Sequence, residues 1–270
     1  MSTTNKSSSS VSDSENNTRQ TEVAAIHKTI RTQGEKELGR TVSALLWSAI
    51  AAGMSMSFSM LAIGLIKSHL PDNDIGVLIS SLGYAVGFIV VILAHQQLFT
   101  ENTVTAVLPL VTEPGLYKLF YLLRLWSVVL IGNLIGVAIS AYLLLAMPLF
   151  DSQTQEVFIG LGEKILSNDT GQMFAKGAIA GWMIATMVWL IPAAGDAKVW
   201  VILIVTSLIG LGGFTHIIVG STEVLYLVFD GKASMSDYVF KFALPTLLGN
   251  VVGGTFIFAL ISHAQVRSDN

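Results

Sequence analysis

The chain has 270 residues, 52% of them hydrophobic and only 12% charged, too few charges to cover the surface of a water-soluble domain of that size. With a mean hydropathy of +0.66, the sequence predicts an all-α membrane protein. The absence of cysteine excludes disulfides, thiol catalysis and Cys-ligated metals, and a net charge of −3 does not by itself select a partner.

Residues 1–22 begin with a stretch rich in Ser, Thr and Asn that lacks the apolar core of a signal peptide, and a disordered cytoplasmic tail is expected there. Val23, Ile26 and Ile30 then recur at helical spacing among His27, Lys28, Arg31 and Lys36. Residues 23–40 therefore read either as an amphipathic helix on the membrane surface or as a helical lead-in to the first span. Uncharged runs follow at 41–66, 75–94, 125–150, 177–195, 199–215 and 242–262. Most reach the roughly 20 residues that carry a helix through about 30 Å of hydrocarbon, which predicts a six-helix transmembrane domain over 41–262 and a short cytoplasmic tail over 263–270. Met54, Met56 and Met60 in the first span read as packing filler, and Gly83 with Gly87 in the second as a small-residue helix contact.

Two spans are interrupted. The second contains Leu98-Phe99-Thr100-Glu101-Asn102-Thr103 and the fifth Gly212-Gly213-Phe214-Thr215-His216. Each has a Phe-Thr step and an ionisable side chain at membrane depth, where such groups line an interior or a water-filled path. Where a helix breaks, its backbone N–H and C=O groups need partners that lipid cannot supply. Thr100, Asn102 and Thr103 are expected to cap a restart at Val104, while Gly210, Gly212 and Gly213 give helix 5 its freedom to bend. Half-helix N-termini facing the centre would carry partial positive charge and suit an anion. Gly132-Asn133 with Gly136 in helix 3 matches Gly249-Asn250 with Gly253 and Gly254 in helix 6. The order of span, broken span and Gly-Asn span thus occurs twice, which predicts inverted three-helix repeats. Asn133 and Asn250 are read as hydrogen-bonding across close helix contacts. Lys28, Arg31, Lys36, Arg40, Lys118, Arg124, Lys198 and Arg267 lie on one side of this topology; Lys67, Lys164, Lys176, Lys232 and Lys241 lie on the other. That bias puts both termini in the cytoplasm.

Taken together, several stretches resemble the formate/nitrite transporter family. They are Leu98-Phe99-Thr100, Trp126 with Gly132-Asn133 and Gly136, Lys176-Gly177 leading to Val188-Trp189, Gly213-Phe214-Thr215-His216, and Pro245 with Gly249-Asn250 and Gly253-Gly254. The likeness runs in order over roughly residues 25–262. It implies an aquaporin-like fold, a homopentamer with one pore per protomer, and His216 at mid-pore near Thr100. By the same resemblance, Tyr84, Phe88, Phe99, Ile184 and Ile209 fall at or near apolar constrictions. The chain departs from the family at Glu101, where members usually have a small or polar residue, and at Gly181 and Gly220, where they usually have asparagines.

The chemistry expected at the centre follows from desolvation. A formate, nitrite or lactate ion entering a low-dielectric constriction is driven toward its neutral acid, which passes apolar rings that resist an ion. His216 changes charge near neutral pH and is the candidate to provide or relay the proton, with Thr100 positioning it; the plainer reading is that it bonds a freed backbone carbonyl. Glu101 either faces the pore, repelling anions and pairing with His216, or turns toward the cytoplasmic vestibule or a neighbouring helix. Glu223, on the stripe of His216 at helical spacing, either lines the far mouth or pairs with Lys232 or another basic group. Lys176 either draws anions to that mouth or is an ordinary interfacial lysine. With no phosphate loop, nucleophile elbow or dinucleotide fingerprint, neither enzyme activity nor a cofactor, metal or nucleic-acid partner is expected. The expected function is a channel for small weak-acid anions in the inner membrane, surrounded by lipid. The alternatives are a carrier of a neutral or cationic solute, because of Glu101, and a non-transporting scaffold or sensor.

Overall fold

The computed structural model describes the backbone of residues 6–268 and the side chains of 22–265. All regular structure in it is helical. Five helical runs among the described residues are long and apolar enough to cross a membrane: Val42–Ser68, Asp74–Leu93, Leu116–Ala146, Thr170–Gly212 and Asp237–Gln265. The fourth, at 43 residues, would extend about 65 Å as one helix at ~1.5 Å per residue, twice the hydrocarbon thickness. It folds back at Gly195, whose φ of 51° is left-handed, so the described residues make six passages.

The first half contains α1 (Lys6–Leu38) on the face of the termini, then α2 (Val42–Ser68). Its second passage is α3 (Asp74–Ser81), a 3-10 turn at Leu82–Tyr84, α4 (Ala85–Leu93), and, after a break, α5 (Phe99–Thr105) and α6 (Leu108–Thr112). The third passage is α7 (Leu116–Ala146). Along the far face runs α8 (Ser152–Leu166), capped by Asp151. The second half repeats the pattern upside down: α9 (Thr170–Ala194), α10 (Lys198–Gly212) broken before α11 (Ile217–Phe229), and a last passage through α12 (Leu244–Val251) and α13 (Leu260–Ser268). Wide π-helical stretches at Asp237–Ala243 and Val252–Ala259 flank α12. Their counterpart α7 has none, so the repeat is not exact in the last helix.

The two breaks are built alike, and Asn133 and Asn250 make them possible. In the first half, Phe99 N–H donates to Asn133 Oδ1 at 2.9 Å, while Asn133 Nδ2 donates to the carbonyls of Gln97 at 2.9 Å and Ala49 at 2.8 Å. In the second, Ile217 N–H donates to Asn250 Oδ1 at 2.9 Å, and Asn250 Nδ2 donates to the carbonyls of Thr215 at 3.0 Å and Gly177 at 2.8 Å. Each side chain thus meets the donor and acceptor freed at its own break and staples both to the first helix of its half. The helix entering each break ends in a left-handed residue, Gly213 at φ 60° and His95 at φ 51°. In both, the next N–H reaches back five residues, from Phe214 to Ile209 O at 3.1 Å and from Gln96 to Val91 O at 3.0 Å, a Schellman ending.

These bonds correct the register read from sequence. Leu98 and Phe99 correspond to His216 and Ile217, so the two Phe-Thr steps are not equivalent positions. The restart is at Phe99 rather than Val104; Thr100, Asn102 and Thr103 lie inside the half-helix, and the freed Phe99 N–H is met from α7 instead. Asn102 packs inward, its Nδ2 donating to Gln97 Oε1 at 3.1 Å and its carbonyl accepting from Trp126 Nε1 at 3.1 Å. A further difference lies in α1, whose backbone is helical from Lys6, within the stretch read as a tail; residues 1–5 lie outside those described.

The α1 helix is tied down by Arg31, which pairs with Glu35 at 2.9 Å and with Glu113 beyond α6 at 2.7 Å, and by Arg124 of α7, which donates to the carbonyls of Leu38 and Arg40. His27 Nε2 lies 3.2 Å from His263 Nδ1 of α13. Burial, the neighbouring His263 and Arg31 hold His27 below its ordinary value of 6.5. Docked His27 therefore binds fewer protons than free His27, so docking is strongest above pH 6.5 and weakens as the pH falls below that value.

Two outcomes follow from this framework. Asn133→Leu or Asn250→Leu leaves one N–H and one carbonyl without partners at a break, at ~1–3 kcal/mol per group, and also removes the bond to the first helix of that half. Each should lower stability by about 3 kcal/mol or more in a steric-trapping or denaturant assay, whereas the helix-compatible Leu134→Ala should cost less. Acidification from about pH 7.5 to 5.5 should speed tryptic cleavage at Arg31 and Lys36 in the parent, and His27→Gln should flatten that dependence.

Candidate functional site

The half-helices α5 and α11 begin in the interior with their N-terminal ends close together and run to opposite faces. His216 is the N-cap of α11: its backbone is extended and its Nδ1 accepts from Val219 N–H at 3.3 Å. The ring therefore bonds a freed N–H, where sequence had offered a freed carbonyl as the plainer reading. Its Nε2 lies 2.7 Å from Thr100 Oγ1 in the first turn of α5. Because Nδ1 accepts, a neutral ring carries its proton on Nε2 and donates to Thr100, leaving the hydroxyl hydrogen of Thr100 free for another acceptor. Both residues are buried, at 1% exposure.

Aromatic and aliphatic side chains surround the pair. Phe88 meets the His216 ring edge-on at 5.1 Å between centroids, and Tyr84 stacks on Phe88 at 5.7 Å. A cavity of about 140 Å³ opens from the face opposite the termini and reaches His216. Tyr84 and Ile209 stand beside His216 at its walls, Lys67, Lys164, Lys176 and Glu223 also line it, and Gly220 and Thr215 complete the α11 side. Lys176 is oriented by Asn168, donating to its Oδ1 at 2.5 Å. Glu223 is 6% exposed. Lys232, the structural partner offered for it by sequence, pairs with Asp230 instead.

Three of the constriction residues do not line this cavity; Phe88 stands behind Tyr84 and against His216. Phe99 is buried with its ring against Trp126 at 5.8 Å, and Ile184 is buried within α9. Gly181 sits where a Cβ would come within 2.3 Å of the Asn250 carbonyl, so an asparagine side chain at this position would force apart the helices that the Asn250 staple holds. Gly213 supplies the left-handed turn, and a Cβ on Gly212 would meet the Phe214 ring at 2.5 Å.

Glu101 does not join His216. Its Oε1 accepts from Gln33 Nε2 of α1 at 3.2 Å, in a polar layer where Gln97 Nε2 donates to Glu37 Oε2 at 2.7 Å and Arg40 pairs with Glu37 at 3.1 Å. The carboxylate thus serves the contact between α5 and α1. That contact is intimate: a Cβ on Gly34 would come within 1.9 Å of the Thr105 carbonyl. Sequence reasoning missed Lys67, Lys164 and the partnership of Gln33 with Glu101. The helix carrying Lys164 was legible, since Asp151 is an N-cap type and Phe158, Leu161 and Ile165 keep helical spacing.

Six passages in two inverted halves, one broken helix in each and a polar pair where the breaks meet define a membrane channel fold. The profile of the Formate/nitrite transporter family matches residues 24–264. The chain belongs to that family, which is one of transporters and channels rather than enzymes. It is 55% identical over 245 residues to the inner membrane protein YfdC of Escherichia coli K12, covering 91% of this chain and 79% of that one. It is 26% identical over 220 residues to a formate-nitrite transporter of Entamoeba histolytica, covering 78% of this chain and 61% of that one. Among solved structures it shares the fold of a pentameric formate channel with formate bound, at TM-score 0.72 and 23% identity over 88% of this chain and 99% of that one. An FNT family ion channel matches at TM-score 0.73 and 19% identity over 90% and 99%.

Gly34→Val should push α1 off α5. Amide exchange over residues 24–38 should rise about tenfold or more, the equivalent of ~1.4 kcal/mol of lost local stability, while exchange in α7 stays as in the parent.

Proposed function

We propose that the protein is a channel for small monovalent weak-acid anions, formate or nitrite being the type, in the cytoplasmic membrane, with both termini in the cytoplasm. The observation that carries this reading is the convergence of two half-helix N-termini on Thr100 and His216 at the end of a cavity bearing Lys67, Lys164 and Lys176. Lysines and helix N-termini both favour negative charge, so an anion gains free energy along the cavity without a cation binding site of comparable strength. Assembly as a homopentamer is part of the proposal and rests on the family and on the pentameric formate channel of like fold.

The apolar ring at Tyr84, Phe88 and Ile209 makes an ion costly and a neutral acid cheap to pass. The anion therefore takes up a proton before the ring and releases it beyond. Thr100, with its hydroxyl hydrogen unclaimed by His216, hydrogen-bonds an oxygen of the passing neutral acid, and the His216 N–H fixes the orientation of that hydroxyl. Glu101 stands out of the passage through its bond to Gln33, so it gives no reason to expect a cation as substrate.

Uptake of labelled formate and nitrite into proteoliposomes between about pH 5 and 8 tests this. The parent should take up both, faster at lower external pH. His216→Asn keeps an N-cap acceptor but loses the bond to Thr100, and should slow uptake by about tenfold, or ~1.4 kcal/mol. Glu101→Gln should stay within about twofold of the parent. A parent that moves neither anion would overturn the proposal.

A further inference from the structure

One ionisable side chain of the cavity has no place in the scheme above. Glu223 lies seven residues after His216, two helical turns along α11 and on the same face. It is 6% exposed and, among the described residues, forms no hydrogen bond or ion pair, although it borders the same cavity as His216. The hydroxyls beside it are already spent. Ser221 donates to the Ile217 carbonyl and meets Tyr238, and Thr222 meets Ser57 at 3.1 Å. The backbone N–H groups around it are held within α11.

We propose that Glu223 is the proton-exchanging group of this cavity, passing its carboxyl hydrogen to an anion that enters between Lys164 and Lys176. This rests on the weak-acid reading above. Two like-charged carboxylates do not share so small a space unless a proton lies between them, and a carboxyl hydrogen shared with an anion is among the strongest hydrogen bonds available. In the transfer, the O–H bond at Glu223 breaks and one forms on the anion. The neutral acid then moves toward Thr100, and the Glu223 carboxylate recovers a proton from water at the open mouth. No electron changes hands.

His216 is poorly placed for the same task. Its Nδ1 accepts the Val219 N–H and its Nε2 faces Thr100, so a second ring proton would have to break the cap of α11. The other titratable groups bordering the cavity are Lys67 of α2, Tyr84 of the 3-10 turn, Lys164 of α8 and Lys176 of α9. Tyr238, from the π-helical stretch packed on α11, is turned to Ser221. Lys176 is held by Asn168, and of the two remaining lysines it is Lys164 whose charge reaches Glu223, so Lys164 is the cation that stabilises Glu223 in the interval after it has given up its proton.

The test uses the full chain in proteoliposomes loaded with a pH-sensitive dye, measuring labelled formate uptake and proton entry together. Glu223→Gln removes no hydrogen bond within the protein, so the fold should be kept. It should reduce formate-driven proton entry by about tenfold or more and flatten the dependence of uptake on external pH, and Glu223→Asp should restore both in part. Infrared difference spectra should show a protonated-carboxyl band in the parent that is absent from Glu223→Gln and shifts when formate is added. Proton entry and a pH profile within about twofold of the parent in Glu223→Gln would overturn the assignment while leaving the channel reading intact. Absence of the infrared band from the parent would also overturn it, whether or not formate moves. A parent silent toward formate and nitrite would overturn the channel reading, and proton delivery to a passing anion with it.

Discussion

A helix interrupted inside a membrane survives only if the backbone groups it frees find partners in protein, and here two asparagine side chains supply them. Carboxamides suit the task because one face accepts and the other donates twice, matching one stranded N–H and one stranded carbonyl and leaving a second donor for a carbonyl of the first helix of that half. Asn133 and Asn250 each spend this full capacity at a single break. Aspartate would lack the donors, and glutamine would need an extra methylene in a contact where neighbouring helices already touch through glycine. The rest of the architecture depends on this satisfaction, because only with the breaks secured can two helix N-termini point into the interior.

From that follows the polarity of the centre. His216 caps one half-helix with its own ring and reaches the first turn of the other through Thr100, so a single side chain secures one helix end and ties it to the other. Its neighbours Tyr84, Phe88 and Ile209 keep the surroundings apolar, which in the proposed channel favours a species charged on approach and neutral in transit. On the face of the termini, Glu101 and Gln97 are occupied by Gln33 and Glu37 of α1, so the polar residues after the first break are used to seat a helix. On the far face, by contrast, Glu223 and the lysines border a cavity. The two ends of the molecule are chemically unlike despite the repeat that relates the halves.

Much of this was legible in the chain. Six apolar runs, the paired Gly-Asn elements and the placement of His216 and Thr100 followed from composition, spacing and family resemblance, because lipid exposure and backbone satisfaction leave few alternatives. The register of the repeat was not legible. Phe99-Thr100 and Phe214-Thr215 look alike as letters, yet the equivalence runs through His95 and Gly213, which share a left-handed backbone and no side-chain similarity. The orientation of Glu101 was also out of reach, because its partner lies sixty-eight residues away on a helix whose docking no local pattern announces. The short amphipathic helix α8 stood between stronger apolar signals and drew no reading of its own, so Lys164 was placed on the far side but not at the cavity.

The asparagine staples act within halves. Asn133 holds residues of the first half alone, and Asn250 of the second, whereas the bonds from Thr100 to His216 and from Thr255 to the Thr103 carbonyl cross between them. Each trio of helices therefore carries everything needed to tolerate its own break, whichever way up it is inserted, and the seam between trios is sparse in polar bonds. A protein of this kind is two modules joined by a tether along α8. Severing that tether would separate the covalent chain without removing any bond that either break requires, but α11 packs against α7 and α2 of the first half, so the two pieces would have to meet again to bury it.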